Sequence, residues 1–273
     1  MSLKIAILDL YDGQPNQGMR CIQDIVVRYG QENSLDLQYQ IFRVRDKNEM
    51  PGTDFNIYIS SGGPGSPLES EGEAWENNFF DLIDKLDAIN NDPAALEKKY
   101  VFFICHSFQL MCRKYGIGEV CKRQSTSFGI FPLTKTEAGA AEEILNGLDE
   151  PFYAVDSRDY QVIAPDENRL EALGAKVLVL EKERPHVDLE RCLMAIRFNE
   201  YFFGTQFHPE ADPIGMREHL LKEEKKNQIV ELHGEEKYQE MMALLEDPQI
   251  LERTQSQIIP AFLNQAVNAL QEA

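Results

Sequence analysis

Apolar and polar positions along this chain fall into blocks that alternate between strand and helix periods. Leu3 to Leu8 is an apolar run of strand length, and Asp9 to Gln17, rich in Asp, Gly, Pro and Asn, reads as a loop. Gly18 to Tyr29 sets Met19, Ile22, Val26 and Tyr29 on one helical face, with Gly30 placed as a C-cap. Leu37 to Val44 alternates like a half-exposed strand, and Phe55 to Ile59 is the next short one. Trp75, Phe79, Leu82, Ile83 and Leu86 share a helical face opposite an acidic side, which predicts a helix covering a sheet. After a polar connector, Asn90 to Lys99, the run Val101 to Ile104 is the central strand, and Phe108, Leu110, Met111 and Tyr115 form a helix stopped by Gly116. This alternation predicts an α/β fold, a doubly wound and mostly parallel sheet flanked by helices.

Farther on, residues 119–134 read as strand and turn, and residues 152–163 as a strand broken by a polar centre at Asp156 to Asp159. Val177 to Leu180 and Cys192 to Phe198 are strands joined by a charged turn in which His186 is a solvated histidine. Residues 213–257 are strongly charged and read as helices around Met216 to Val230 and Glu235 to Leu245. Ile259, Phe262, Leu263, Ala266, Val267 and Leu270 then form a clean helical stripe. The expected organisation is an α/β domain over 1–212, a charged helical insertion over 213–257 and a closing helix over 258–273 packed on the main domain. The insertion reads either as a lid or docking surface, or as a solvated helical hairpin with no part in chemistry. Heptad regularity is absent, so a coiled coil is not expected.

Charge narrows the partners. Lys plus Arg number 27 against 46 Asp plus Glu, a net charge of −19, which repels phosphate backbones and anionic lipid. Neither nucleic acid nor a membrane surface is expected as a partner. The 5 cysteines include no C-x-x-C pair, a usage that fits a reducing compartment better than a disulfide framework. With no signal-peptide pattern and no apolar run near the roughly 20 residues a membrane helix needs, a cytoplasmic location is expected.

Three segments carry candidate chemistry. Cys105 stands where a buried strand turns abruptly into a helix, a setting in which the helix N-terminus favours thiolate. Ser60 to Pro67, with Gly62, Gly63 and Gly65, brings bare backbone N–H groups toward a ligand; without a following Gly-Lys-Ser/Thr it is not a P-loop. An oxyanion hole and a plain Gly/Pro turn are its other readings. His208-Pro209-Glu210 could hold a carboxylate against one imidazole nitrogen and leave the other to take a thiol proton. No third ligand joins His208 and Glu210, and His106, His186, His219 and His233 have no ligand spacing, so neither a metal nor a cofactor is expected.

Together these segments resemble the class I (triad) glutamine amidotransferases, over roughly residues 3–212. The loop Ser61 to Ser66 and the segment Gly204 to Glu210 are similar to the family's motifs, and at the elbow Ile104, Cys105 and Gln109 match. The resemblance implies a flavodoxin-like fold and a stand-alone domain similar to the glutaminase domain of GMP synthase. It also implies a triad of Cys105, His208 and Glu210, an oxyanion hole at Gly63 and His106, and substrate contacts at Gly62, Gln109, Ser157 and Arg158. The implied activity is hydrolysis of the glutamine side-chain amide through a cysteine thioester, with ammonia supplied to a separate synthetase. The alternatives are a stand-alone hydrolase of γ-glutamyl small molecules, or a non-catalytic metabolite- or partner-binding protein on the same fold. Two departures stand out: Phe103 and Ser107 replace the glycines of the family's elbow, and Phe103 calls for compensating space nearby. Arg158 is left with two readings, a partner for a substrate α-carboxylate or for Asp156 or Asp159.

Overall fold

The computed structural model describes residues 2–184 and 187–272, and within these every side chain except those of residues 228, 232 and 233. His186 and the His233 side chain therefore lie outside the described residues. The strands are β1 (Leu3–Asp9), β2 (Leu37–Arg43), β3 (Ile57–Ser60), β4 (Tyr100–Ile104), β5 (Glu119–Lys135), β6 (Phe152–Ile163), β7 (Lys176–Leu180), β8 (Leu193–Arg197) and β9 (Phe202–Thr205). The helices are α1 (Gln17–Glu32), α2 (Val44–Lys47), α3 (Ala74–Asn91), α4 (His106–Tyr115), α5 (Glu137–Ala140), α6 (Glu167–Leu173), α7 (Pro213–Leu220), α8 (Glu223–His233), α9 (Glu235–Leu244) and α10 (Gln249–Glu272).

The strands form one mixed sheet in the order β2-β1-β3-β4-β9-β8-β7-β5-β6. From β2 to β9 every pairing is parallel. From β9 to β6 every pairing is antiparallel, so the α/β core continues into an antiparallel arm that curls back. Burial explains which strands are central: β3, β4 and β9 are buried at every position, whereas β2 is half exposed along its length, as an edge strand can be. One core lies between the sheet and helices α1 and α10, where Ile22, Val26, Ile259, Phe262 and Leu263 meet Ile5, Phe102 and Phe203. The other lies beneath α3 and α4, where Phe79, Ile83 and Leu110 meet Val101, Phe103 and Phe202. A third, smaller cluster joins Met216, Leu220, Ile229, Tyr238 and Met241 of α7 to α9 to Ile130 and Val155 of the antiparallel arm.

Several local expectations are corrected. Gly30 lies within α1, which runs on to a cap at Asn33; a Cβ there would sit 3.3 Å from Leu37, so this glycine serves close helix–strand packing. Strand β6 is continuous through its polar centre, because Asp156 and Arg158 point inward and neutralise each other there. The helix expected around Met216 to Val230 is two helices, α7 and α8, with Asp212 capping α7 through its bond to the Gly215 amide. The apolar stripe from Ile259 to Leu270 is the later part of α10, which begins at Gln249 and carries Pro260 within it. Among the described residues, no helix is long and apolar enough to cross a membrane.

Candidate active site

Strand β4 ends at a sharp elbow. Cys105 takes φ +49° and ψ −96°, a region that side chains rarely occupy, and caps α4. Such a conformation costs on the order of 1–3 kcal/mol and persists only where its surroundings hold it. The Cys105 amide donates to the Thr205 carbonyl at 2.7 Å, and its carbonyl accepts from the Gln109 amide at 3.0 Å. Ser107, in place of a glycine, accepts from the Ile104 amide at 2.9 Å and lies 3.0 Å from the Ser60 carbonyl. Its hydroxyl thus latches the turn to the end of β3. Phe103 finds its space across the strand. It pairs in register with Gly204, where a Cβ would come within 2.9 Å of the Phe198 ring and 3.3 Å of the Phe103 Cβ.

His208 and Glu210 come from the segment just after β9, which ends three residues before the histidine. The His208 amide donates to the Val155 carbonyl of β6 at 2.8 Å, and the Glu210 carbonyl accepts from Gln255 of α10 at 3.1 Å. Two distant elements therefore pin this short irregular stretch. His208 Nδ1 lies 2.8 Å from Glu210 Oε1, and because a carboxylate only accepts, Nδ1 carries a proton and Nε2 is the nitrogen left to exchange one with another group. Burial opposes a charge on His208, but the Glu210 carboxylate and then the neighbouring Cys105 sulfur outweigh it and hold the imidazole well above its usual range.

Gly62 lies where these parts converge. A Cβ on it would sit 2.9 Å from His208 Cε1 and 3.4 Å from the Cys105 Cβ, so any side chain would intrude between thiol and imidazole. At Gly63 a Cβ would collide with the Leu10 carbonyl. The Cys105 sulfur is 3.7 Å from the Ser157 carbonyl and 3.6 Å from Gln206 Nε2. Gln109 donates to Gln206 Oε1 at 3.0 Å and to the Tyr160 carbonyl at 3.2 Å.

A cavity of about 720 Å³ opens here, lined by Tyr11, Gly63, Cys105, Gln109, Ser157 and His208 among others. Two expected residues behave differently from their neighbours. The Arg158 guanidinium is turned inward, 2.8 Å from Asp156 and 3.1 Å from Glu181, with its side chain 1% exposed. Of its two carboxylate candidates within the strand it is Asp156, not Asp159, that Arg158 meets, and the residue also borders the cavity. The His106 imidazole is buried behind the elbow, 6.5 Å from the Trp75 ring; burial and then Arg45 and Arg113 push it down to about 3, so it stays neutral.

Two further residues of the site carried no role in the sequence reading. Gln206 lies inside the motif that contains His208, which was signal enough to single it out. Tyr11 follows β1 at the carboxyl end of the sheet, where ligands bind in such folds, and only that position marks it. A Cβ on Gly62 would be 3.3 Å from its hydroxyl, and burial followed by the Glu210 and Cys105 charges raises the phenol well above its ordinary range. Among the described residues, no group of three His, Cys, Asp or Glu side chains could hold a metal ion.

Comparisons with known proteins agree with this arrangement of elements. The chain is similar over 97% of its length to the crystal structure of SMU.1228c, covering 100% of that chain at 18% identity and a TM-score of 0.62. It is similar over 100% of its length to a glutamine amidotransferase from Thermotoga maritima, covering 100% of that chain at 14% identity and a TM-score of 0.59. Similarity to the Trypanosoma brucei CTPS glutaminase domain with bound acivicin covers 98% of this chain and 94% of that one, at 12% identity and a TM-score of 0.55. At such identities these structures share the fold. No curated protein matches the chain. The family profile for glutamine amidotransferase class-I matches residues 21–227, most of the length, and so the chain belongs to the class-I glutamine amidotransferases.

Proposed function

We propose that the glutaminase activity of this family is carried here by Cys105 as nucleophile, His208 as proton carrier and Glu210 as the group that orients it. The observation behind this reading is that Cys105 and His208 flank Gly62 at the wall of the cavity while Glu210 holds His208 Nδ1 at 2.8 Å. The Cys105 proton rests on His208 Nε2, as the raised proton affinity of that ring favours, and in the first half-reaction the sulfur attacks the side-chain carbonyl of glutamine. The oxyanion forms against backbone N–H groups at Gly63 and at His106, the first residue of α4. His208 then gives its proton to the departing nitrogen, and ammonia leaves as the thioester forms. In the second half-reaction His208 takes a proton from water, the hydroxyl adds to the thioester, and glutamate departs while His208 keeps the proton.

Gln109 fixes the Gln206 amide beside the sulfur, and the Ser157 carbonyl faces it from the arm. The ammonia passes to a separate synthetase in this reading, since glutaminases of the family serve such partners. The test is ammonia release from glutamine, measured with the purified chain and with Cys105→Ala: release by the first and not by the second supports the assignment, and equal release by both contradicts it.

A second substrate is favoured by one observation. The cavity, about 720 Å³, extends past the thiol to Phe128, Met216 and Lys222, leaving room beyond a glutamine side chain for the amine part of a γ-glutamyl compound. Faster turnover of γ-glutamyl peptides than of glutamine selects that reading, with the same Cys105 chemistry.

A further inference from the structure

A second cavity, of about 320 Å³, lies on the other side of the 126–128 segment and shares Thr126 and Phe128 with the catalytic cleft. Four of its lining side chains are cationic, Arg123, Lys182, Arg184 and Lys237, and one, Glu181, is a carboxylate. On a chain of net charge −19 this is a marked local reversal of sign.

The reversal is not neutralised within the protein. Glu181 is already shared among Arg158 at 3.1 Å, Arg123 at 3.1 Å and Arg184 at 3.0 Å. The Arg123 and Arg184 side chains are each only 10% exposed, so their charge is poorly screened by water. Lys182 and Lys237 both stand over the Phe131 ring, at 4.4 and 5.0 Å from its centre. Lys237 reaches a single carboxylate, the exposed Glu240, and Lys182 has none within ion-pair distance among the described residues. Burial, then Lys237 and Arg123, lower the affinity of Lys182 for its proton and outweigh the opposing pull of Glu181 and Glu240.

Three separate parts of the chain deliver these charges: β5 brings Arg123, the segment after β7 brings Lys182 and Arg184, and α9 brings Lys237. Like charges gathered in a half-buried recess repel one another, and an anion held between them removes that repulsion. We propose that this recess is a binding site for a compact anion of two or more negative charges, a phosphate monoester or a polycarboxylate. Arg123 and Arg184 are held in place by Glu181, by Gln161 and by the Ser125 and Glu190 carbonyls and act as fixed positive charges in the wall, while the two ammonium groups act as point charges beside them. The recess is of a size that holds a small metabolite. It backs on the catalytic cleft through Phe128, which pairs in register with Ser157.

The test is calorimetric titration of the whole chain at low ionic strength, where screening is weakest, with inorganic phosphate, glucose 6-phosphate and citrate in turn. The expected result is one saturable site per chain for at least one of the three. Affinity should fall about tenfold or more in Lys182→Met, which keeps the apolar stem over Phe131, and similarly in Lys237→Met, each checked for native circular dichroism. Cys105→Ala should bind as wild type does, which separates this site from the catalytic one. Tighter binding of glucose 6-phosphate than of citrate assigns a phosphate monoester, and the reverse order assigns a polycarboxylate. No saturable binding by any of the three, or binding that both lysine variants leave unchanged, overturns the proposal.

Discussion

The two sides of the elbow at Cys105 each hold a histidine, and the contrast between them shows how surroundings decide what an imidazole can do. On the cleft side, His208 is bonded to Glu210 and lies beside a sulfur, so its protonated form is favoured despite burial. On the back side, His106 is packed near Trp75 and faces the cations Arg45 and Arg113, so its protonated form is excluded. His106 follows Cys105 directly in sequence and His208 is about a hundred residues away, yet only the distant one is bonded to a carboxylate and lies beside the sulfur. Adjacency along the chain puts the backbone of His106 at the start of α4, while its side chain is buried.

This contrast can be broken at several points. The largest effect is expected at the sulfur: Cys105→Ala should lower glutamine hydrolysis by at least about 10⁴-fold, read as kcat for ammonia release. Glu210→Gln keeps the shape of the pair and removes the charge, and should lower kcat by roughly 10²–10³-fold with little change in KM. On the back side the readout is stability. His106 is depressed to about 3 in the fold and titrates near 6.5 when unfolded, so between those values the unfolded chain binds the extra proton. Stability must therefore fall as pH drops through that window, by roughly 3 kcal/mol at pH 4 relative to neutral. Denaturant unfolding of His106→Gln at pH 7 and pH 4 should lack that part of the loss. His208 has the opposite sign: its raised value adds stability below the unfolded pKa, which fades as pH climbs through the folded one. The smallest effect is expected at Gly204→Ala, which would press a methyl on Phe198 and Phe103 and cost about 1–3 kcal/mol. Trimming the ring that the methyl would meet at 2.9 Å, in Phe198→Leu/Gly204→Ala, should recover part of that loss, measured by the same unfolding curves.

Legibility in the sequence followed the physics of each element. Strands β1, β3 and β4 are largely buried on both faces and so read as apolar runs, and α3 showed its covering face through period alone. Strand β6 looked broken because Asp156 and Arg158 are charged, and nothing local announces that Glu181 of another segment will meet them inside. The beginning of α10 was hidden for a related reason: Thr254 and Gln255 are polar but buried, occupied with the carbonyls of Tyr153 and Glu210. Helix geometry, and not hydrophobicity, carries the fold through that stretch. At the site, Cys105, His208 and Glu210 stood out because chemistry restricts which residue types can serve. Tyr11 did not, since a tyrosine after a strand has many uses and its neighbours in space come from Gly18, Gly62 and Glu210. The answer to Phe103 also lay across the sheet, in a glycine that the sequence placed in a different motif.

The central claim is that one sulfur of the 5 is made nucleophilic by its place beside His208. Intact-mass measurement after treatment with a glutamine-mimicking electrophile, followed by peptide mapping, addresses it directly. The account predicts a single adduct at Cys105, formed far more slowly in His208→Gln and slowed by excess glutamine. An adduct at Cys21, Cys112, Cys121 or Cys192 with Cys105 untouched, or labelling of Cys105 at the same rate without the histidine, would contradict it.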